Sequence, residues 1–448
     1  MKLICPKSHF ENRAACGSVL IIVLWIAVGL VAIALYFANS MTYELRASDN
    51  RASGLATEQA IEGAARYVSY VLSNYATNGV MPATNLFACA AVPVGDAHFW
   101  IIGRDPSGTP SSEPCFGLID EGSKLNLNTV NTNTLSYLPN MTLDFANAIA
   151  DWRSTNGGGA YSLDYTALGY LDKNAPFETV DELRLVYGAT LDLLAGEDIN
   201  RNGVLDSNEK DLNGNGQVDS GLLEYVTVYT REPNFNADGS SLTNVSTASA
   251  GQLNSLLQGA GVNTSYANAL ANSQPYAGIL SFAVRCRQLG MSDSDFEKIY
   301  TNVTTTGTAY IRGRVNVNTA GEDVLTALFE GLNNGNEQTA ESSAQTLITY
   351  REQNSNNLGS IAWVYDALGA GNSTLATLER GDYVTTRSFQ FTADIAAIGP
   401  FGRGYRRVKF IFDTSDGTPK IIYRQDLSRL GWALGDKVRQ TWVTQTTP

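Results

Sequence analysis

Histidine is almost missing from this sequence. Of the two present, His9 and His98, only His98 lies beyond the N-terminal segment. Metal clusters and catalytic relays that need paired imidazoles are therefore excluded for the rest of the chain. The five cysteines include no C-x-x-C pair, which removes thioredoxin-like and zinc-ribbon readings. There is no Gly-x-Ser-x-Gly elbow, and no imidazole other than His98 to serve a serine or cysteine nucleophile. An envelope hydrolase working through a pair of acids stays open. Basic residues are also scarce: 31 Lys and Arg against 44 Asp and Glu leave a net charge of -13. Lys2, Lys7 and Arg13 against Glu11 make the first segment positive, so about -15 falls on the remainder, which repels nucleic acid and anionic lipid. Proline is absent from residues 18–76.

What stands there instead is a long apolar run. Val19 to Ala38 carries no charge over 20 residues. As a helix it is about 30 Å long, the thickness of a bilayer's hydrocarbon core. Basic residues precede it, placing that end in the cytoplasm and the bulk of the chain outside. A cleaved secretory signal has an h-region of roughly 7 to 15 residues ending in a small-x-small site. This run is longer, and Ala38-Asn39-Ser40 is a poor site. Beyond Glu44 and Arg46 the pattern turns amphipathic, with Ile61, Ala64, Ala65, Val68, Val71 and Leu72 at spacings of three and four. The spacing predicts one helix over 18–76, its first third in lipid and its last third against a soluble body.

Short strands are predicted at 98–102, 385–392, 405–412 and 420–424, with Asp416-Gly417 turning the last pair. They predict an antiparallel sheet against the amphipathic part of the helix, an α+β unit. Between the sheet pieces an echo appears, Lys124-Leu-Asn-Leu-Asn-Thr-Val130 and Arg314-Val-Asn-Val-Asn-Thr-Ala320. Thr179 with Glu182 and Thr319 with Glu322 have capping-box spacing. Two similar helical modules are expected, over about 124–230 and 245–375.

Asp198-Ile-Asn-Arg-Asn-Gly-Val-Leu-Asp-Ser-Asn-Glu209 satisfies D-x-N-x-N-G-x5-E throughout. Asp198, Asn200 and Asn202 supply oxygens, as do the Val204 carbonyl, Asp206 through water, and Glu209 with both oxygens. This is a density of hard ligands that suits Ca2+. A second loop follows with Asp211, Asn213, Asn215, Gln217 and Asp219, but Leu222 stands where the bidentate acid belongs. Glu224 is a candidate substitute, or Glu209 and Asp219 are shared between two ions. One calcium is expected and a second is open. No long helix fits between the loops, so a structural clip is expected rather than a groove-opening switch.

Cys16-Gly17-Ser18 stands immediately before the apolar run. A glycine at this border resembles the cleavage point of a type IV prepilin, where the peptidase cuts on the cytoplasmic side and the hydrophobic helix is kept. Ile22 stands where most pilins carry glutamate. Together with Phe177-Glu-Thr-Val-Asp-Glu-Leu183 and the N-x-N-T segments, these residues resemble the protein K family, the minor pseudopilins of type II secretion. That resemblance implies a leader at 1–17, cleavage between Gly17 and Ser18 by prepilin peptidase, and N-methylation. It implies a membrane part at 18–40, anchored in the inner membrane through residues 19–38. A pilin-like α+β body at 41–123 and 376–448 would stand in the periplasm, interrupted by a helical insertion at 124–375 carrying the calcium loops at 198–222. It implies a non-enzymatic subunit at the tip of the pseudopilus, partnered by minor pseudopilins I and J. A minor pilin of a type IV pilus and a membrane-anchored calcium-dependent binding protein are the rival readings. The echo also resembles helix-hairpin-helix DNA-uptake proteins, but acids surround its first copy and neither copy leads into a Gly-Ile-Gly hairpin. No nucleic acid partner is expected. Cys89 and Cys115 either close a loop of about 25 residues in an oxidising compartment or stay unpaired.

Overall fold

The computed structural model describes residues 16–76, 79–105, 113–156, 159–236 and 238–442. The proline-free stretch is one continuous helix, α1, Cys16–Tyr75, about 90 Å long. Residues 19–39 are exposed all round, and this is the one described helix long and apolar enough to cross a membrane. From Ser53 onward one face turns inward. Thr57, Ala60, Ile61, Ala64, Ala65, Val68, Val71 and Leu72 are buried, at the spacing that the sequence pattern requires. Each large aliphatic side chain among them contributes about 1.5–3 kcal/mol by leaving water.

That face lies on an antiparallel sheet of six strands: β1 (Val92–Val94), β2 (Ala97–Ile102), β3 (Ile119–Asp120), β4 (Gln390–Ile398), β5 (Tyr405–Asp413) and β6 (Lys420–Asp426). The order is β1-β2-β4-β5-β6, and β3 pairs with the first part of β4. All nine residues of β4 are buried. Phe391, Ala393, Ile395 and Ala397 pack with α1. On the opposite face Ala396 and Ile398 pack with Trp100, Ala433 and Leu434 near the C-terminus. Gln390, Thr392 and Asp394 on that face bind polar partners instead. Gln390 accepts the Arg231 N–H at 2.9 Å, and Thr392 donates to Glu121 at 2.6 Å. The architecture is α+β and pilin-like, with many additional helices.

The strand expected at 385–392 is misplaced by the sequence pattern. Val384–Thr385 is a separate strand, paired in parallel with Val315–Asn316, and the sheet strand begins at Gln390. The other expected strands appear, 420–424 being extended to Asp426. Helix and sheet meet closely at Gly404, whose φ of +72° suits glycine. A Cβ there would sit 2.9 Å from the Ser53 carbonyl oxygen, and the Gly404 carbonyl accepts from Thr57 Oγ1 at 2.5 Å.

After β3 the chain leaves the sheet and returns at β4. The intervening helices share one continuous core. Both copies of the echo make the same local structure. Leu125–Asn126 pairs in parallel with Val226–Thr227, as Val315–Asn316 does with Val384–Thr385. The Asn126 carbonyl accepts from the N–H groups of Thr129 and Val130, and that of Asn316 from Thr319 and Ala320. Arg153 donates to the carbonyls of Leu127 and Val130, Arg351 to those of Val317 and Ala320. The expected capping at Thr179 is present, since Glu182 accepts its N–H at 3.0 Å. At Thr319 it is not. Gly321 caps the helix Glu322–Leu332, because the Thr319 hydroxyl is drawn to the buried Asp120 at 2.5 Å.

Candidate metal centre

The segment between the short helix Leu191–Ala195 and Ser220 holds no helix; an antiparallel bridge between Gly196 and Ser220 closes it into a double loop. Within it the first loop is drawn inward. Asp198, Asn200, Asn202 and Val204 are buried. Asp198 accepts the N–H of Asn202 on one oxygen and of Gly203 on the other, both at 2.9 Å. Gly203 has φ of +82° and lies against the Arg104 side chain. Glu209 folds back over the loop, accepting the N–H of Asn200 and of Asp206, each at 3.1 Å. The amides of Asn200 and Asn202 both converge on Asp206 Oδ2, at 2.5 and 2.9 Å. Asp198, Asn200, Asn202, Val204, Asp206 and Glu209 are therefore gathered in one compact loop.

Two observations bear on whether a cation fits. Asn200 Oδ1 is buried without a hydrogen-bond partner, an arrangement costly for a polar oxygen unless something electropositive meets it. Burial also pushes the carboxyls of Asp198 and Glu209 up; a bound dication reverses that cost. Carboxylates alone do not make the site: among the described residues no three His, Cys, Asp or Glu side chains group as metal ligands. The oxygen set depends on the two asparagines and a backbone carbonyl, the donor chemistry of calcium rather than of zinc.

The second loop repeats the folding with its side chains mostly exposed. Asp211 accepts from Gly214 and Gly216 N–H at 2.6 and 2.8 Å. Asn213 donates to Asp219 at 2.5 Å, as Asn200 does to Asp206. Asn213 Oδ1 accepts from Asn215 N–H, and Asn215 Oδ1 from Gln217 N–H. Sequence reasoning missed the acid of this loop. Glu197, buried, accepts the N–H of Leu212 at 2.5 Å and of Asp219 at 3.1 Å, as Glu209 clasps the first loop. Glu224 is engaged elsewhere, its Oε1 2.8 Å from Arg104 Nε. A signal was there, since Glu197 immediately precedes Asp198, but it lies upstream of the loop it serves.

The first loop is also bolted to the sheet. Arg407 on β5 donates to the carbonyls of Asn200 and Arg201, the latter at 2.7 Å, and Arg104 to Arg201 at 3.0 Å. From the other side Asn200 and Asn202 donate to the carbonyls of Trp432 and Ala433, at 3.1 and 3.4 Å. Residues 1–15 of the expected leader lie outside the described residues, while Gly17 and Ser18 fall in the first turn of α1.

No family model matches the chain, and no curated protein matches it. Among solved structures it is similar to the crystal structure of the GspK-GspI-GspJ complex from the enterotoxigenic Escherichia coli type 2 secretion system. The TM-score is 0.39 with 11% identity, over 86% of this chain and 99% of that chain.

Proposed function

We propose that this chain is a minor pseudopilin of a type II secretion system, seated at the tip of the pseudopilus and starting its assembly. The observation that carries the reading is α1. Its exposed apolar first part continues without a break into a face buried on a pilin-like sheet, so one helix both crosses the membrane and anchors the body. Ile22 supports a position above all other subunits. An acid there would meet the N-terminal amine of a neighbour, and without it no subunit is held above. The helical insertion adds bulk that obstructs stacking from the same side. The role is structural, in the inner membrane with the body in the periplasm, alongside minor pseudopilins I and J.

The loops at 198–219 serve this role as a calcium clip. Asp198, Asn200, Asn202, Val204, Asp206 and Glu209 would hold one Ca2+. Asp211, Asn213, Asn215, Gln217 and Asp219, closed by Glu197, would hold a second. The ion would fix the first loop between β5 and the C-terminal segment, and so fix the insertion on the pilin body.

The test is the N-terminus of the membrane-extracted protein by mass spectrometry. A chain beginning at N-methylated Ser18 is expected. An intact Met1, or a start near residue 40, would defeat the reading.

A further inference from the structure

Two segments share one edge of β2 and meet end to end on it. β1 pairs at residues 97–99, and just before β1 the Cys89 carbonyl accepts the Ile101 N–H at 2.8 Å. The second segment arrives from the far side: Gly117 N–H donates to the Ile101 carbonyl at 2.9 Å, and the Cys115 carbonyl accepts from Gly103 at 2.8 Å. Ile101 thus binds both segments on the same edge. A cysteine lies on each side of the seam. The Cys89 thiol donates to the Phe116 carbonyl at 3.3 Å, and Cys115 is the residue before Phe116. The two side chains therefore meet at one residue's backbone, and Cys115 is near enough to push the Cys89 thiol further up after burial has done so. Cys115 is exposed and Cys89 half-buried, whereas Cys286 is fully buried elsewhere.

We infer that Cys89 and Cys115 form a disulfide that splices this interrupted edge strand. The oxidising surroundings it needs rest on the periplasmic location proposed above. Two S–H bonds break and one S–S bond forms. The two electrons and two protons pass by thiol–disulfide exchange to a protein disulfide of that compartment, which is reduced to its dithiol. The bond closes a loop of about 25 residues, long enough for a clear gain over the reduced chain.

The experiment uses the full-length protein extracted from membranes, with free thiols blocked at lysis, digested by trypsin without reductant. Cleavage after Arg66, Arg104 and Lys124 puts Cys89 in peptide 67–104 and Cys115 in peptide 105–124. A linked pair of these peptides is expected, separating on reduction. A parallel sample is reduced and then equilibrated with oxidised glutathione. If the peptides stay unlinked even there, the inference is overturned. If they link there but are free in the extracted protein, the pair stands and the periplasmic location falls. Cys89→Ser is expected to abolish the link and melt with the reduced parent, while Cys286→Ser keeps the link.

Discussion

Arg407 and Asp394 form an ion pair across β5 and β4 in which the guanidinium has no exposure at all: Nη2 to Oδ2 is 2.5 Å and Nε to Oδ1 is 2.9 Å. The same guanidinium binds the carbonyls of Asn200 and Arg201. One side chain therefore joins the sheet to the loop at 198–209. Replacing it leaves a buried carboxylate and the Asn200 carbonyl without that donor, while the Arg201 carbonyl keeps Arg104, and breaking a buried pair in this way costs about 3–5 kcal/mol. Arg407→Met is expected to lower the melting temperature by far more than the surface control Arg424→Met, whose pair with Glu62 is half-exposed. Equal melting of the two variants in thermal denaturation would contradict the bridging role.

Calcium removal is expected to destabilise the folded protein. At a free concentration a hundredfold above Kd, one bound ion adds about 2.7 kcal/mol. Calorimetry with and without chelator measures this. Asp198→Ala is expected to melt like the chelated parent and to lose the response to calcium. Superimposable curves for the parent with and without chelator would sink the clip.

Glu197 and Glu224 are separated by the same kind of measurement. Glu197→Gln is expected to remove one ion from the binding stoichiometry in titration calorimetry. Glu224→Gln is expected to leave the stoichiometry alone and lower stability, since Arg104 loses its partner. The reverse outcome would assign the second loop's acid to Glu224.

Asp120 offers a test by pH. It is buried, with Gly122 N–H, Asn316, Thr319 and Ser388 all donating to it. Burial raises its carboxyl above the usual range, and these four donors pull it back only in part. For an acid whose folded value is raised, the stabilising contribution is complete below the unfolded value and is lost as pH rises through the folded one. Asp120→Asn is expected to lose that component, flattening the fall in melting temperature between about pH 4 and neutrality. Melts that keep the parent's slope would show the decline to arise elsewhere.

What the sequence disclosed, and what it hid, follows from how local each signal is. The long apolar helix and the compact loop at 198–209 are contiguous, so length and spacing suffice to read their shape. The buried face of α1 was legible from Ile61 onward, yet Ser53 and Thr57 were not, because the Thr57 hydroxyl is satisfied by the Ser53 and Gly404 carbonyls. β4 was misread because both its faces are covered and Gln390, Thr392 and Asp394 are satisfied by remote partners. The alternation of Gln390, Thr392 and Asp394 with Phe391, Ala393 and Ile395 stops at Ala396, beyond which both faces are apolar. Thr319 looked like a cap by spacing, but a partner 199 residues away claimed its hydroxyl. Glu197 was hidden for the same kind of reason, as it serves a loop outside the reading frame of its own.

The pairing of β3 with β4 has an architectural consequence. The chain's departure at Asp120 and its return at Phe391 are opposite each other on one ladder, separated by about 5 Å, the spacing of neighbouring strands. Everything between them is an excursion whose two ends coincide. Such a loop-out can lengthen, shorten or be excised with a short turn in its place while the order of the surrounding strands stays unchanged. The sheet with its long helix and the insertion carried on it are thus free to diverge at different speeds, with Arg407 and the loop it grips as the point where they must still agree.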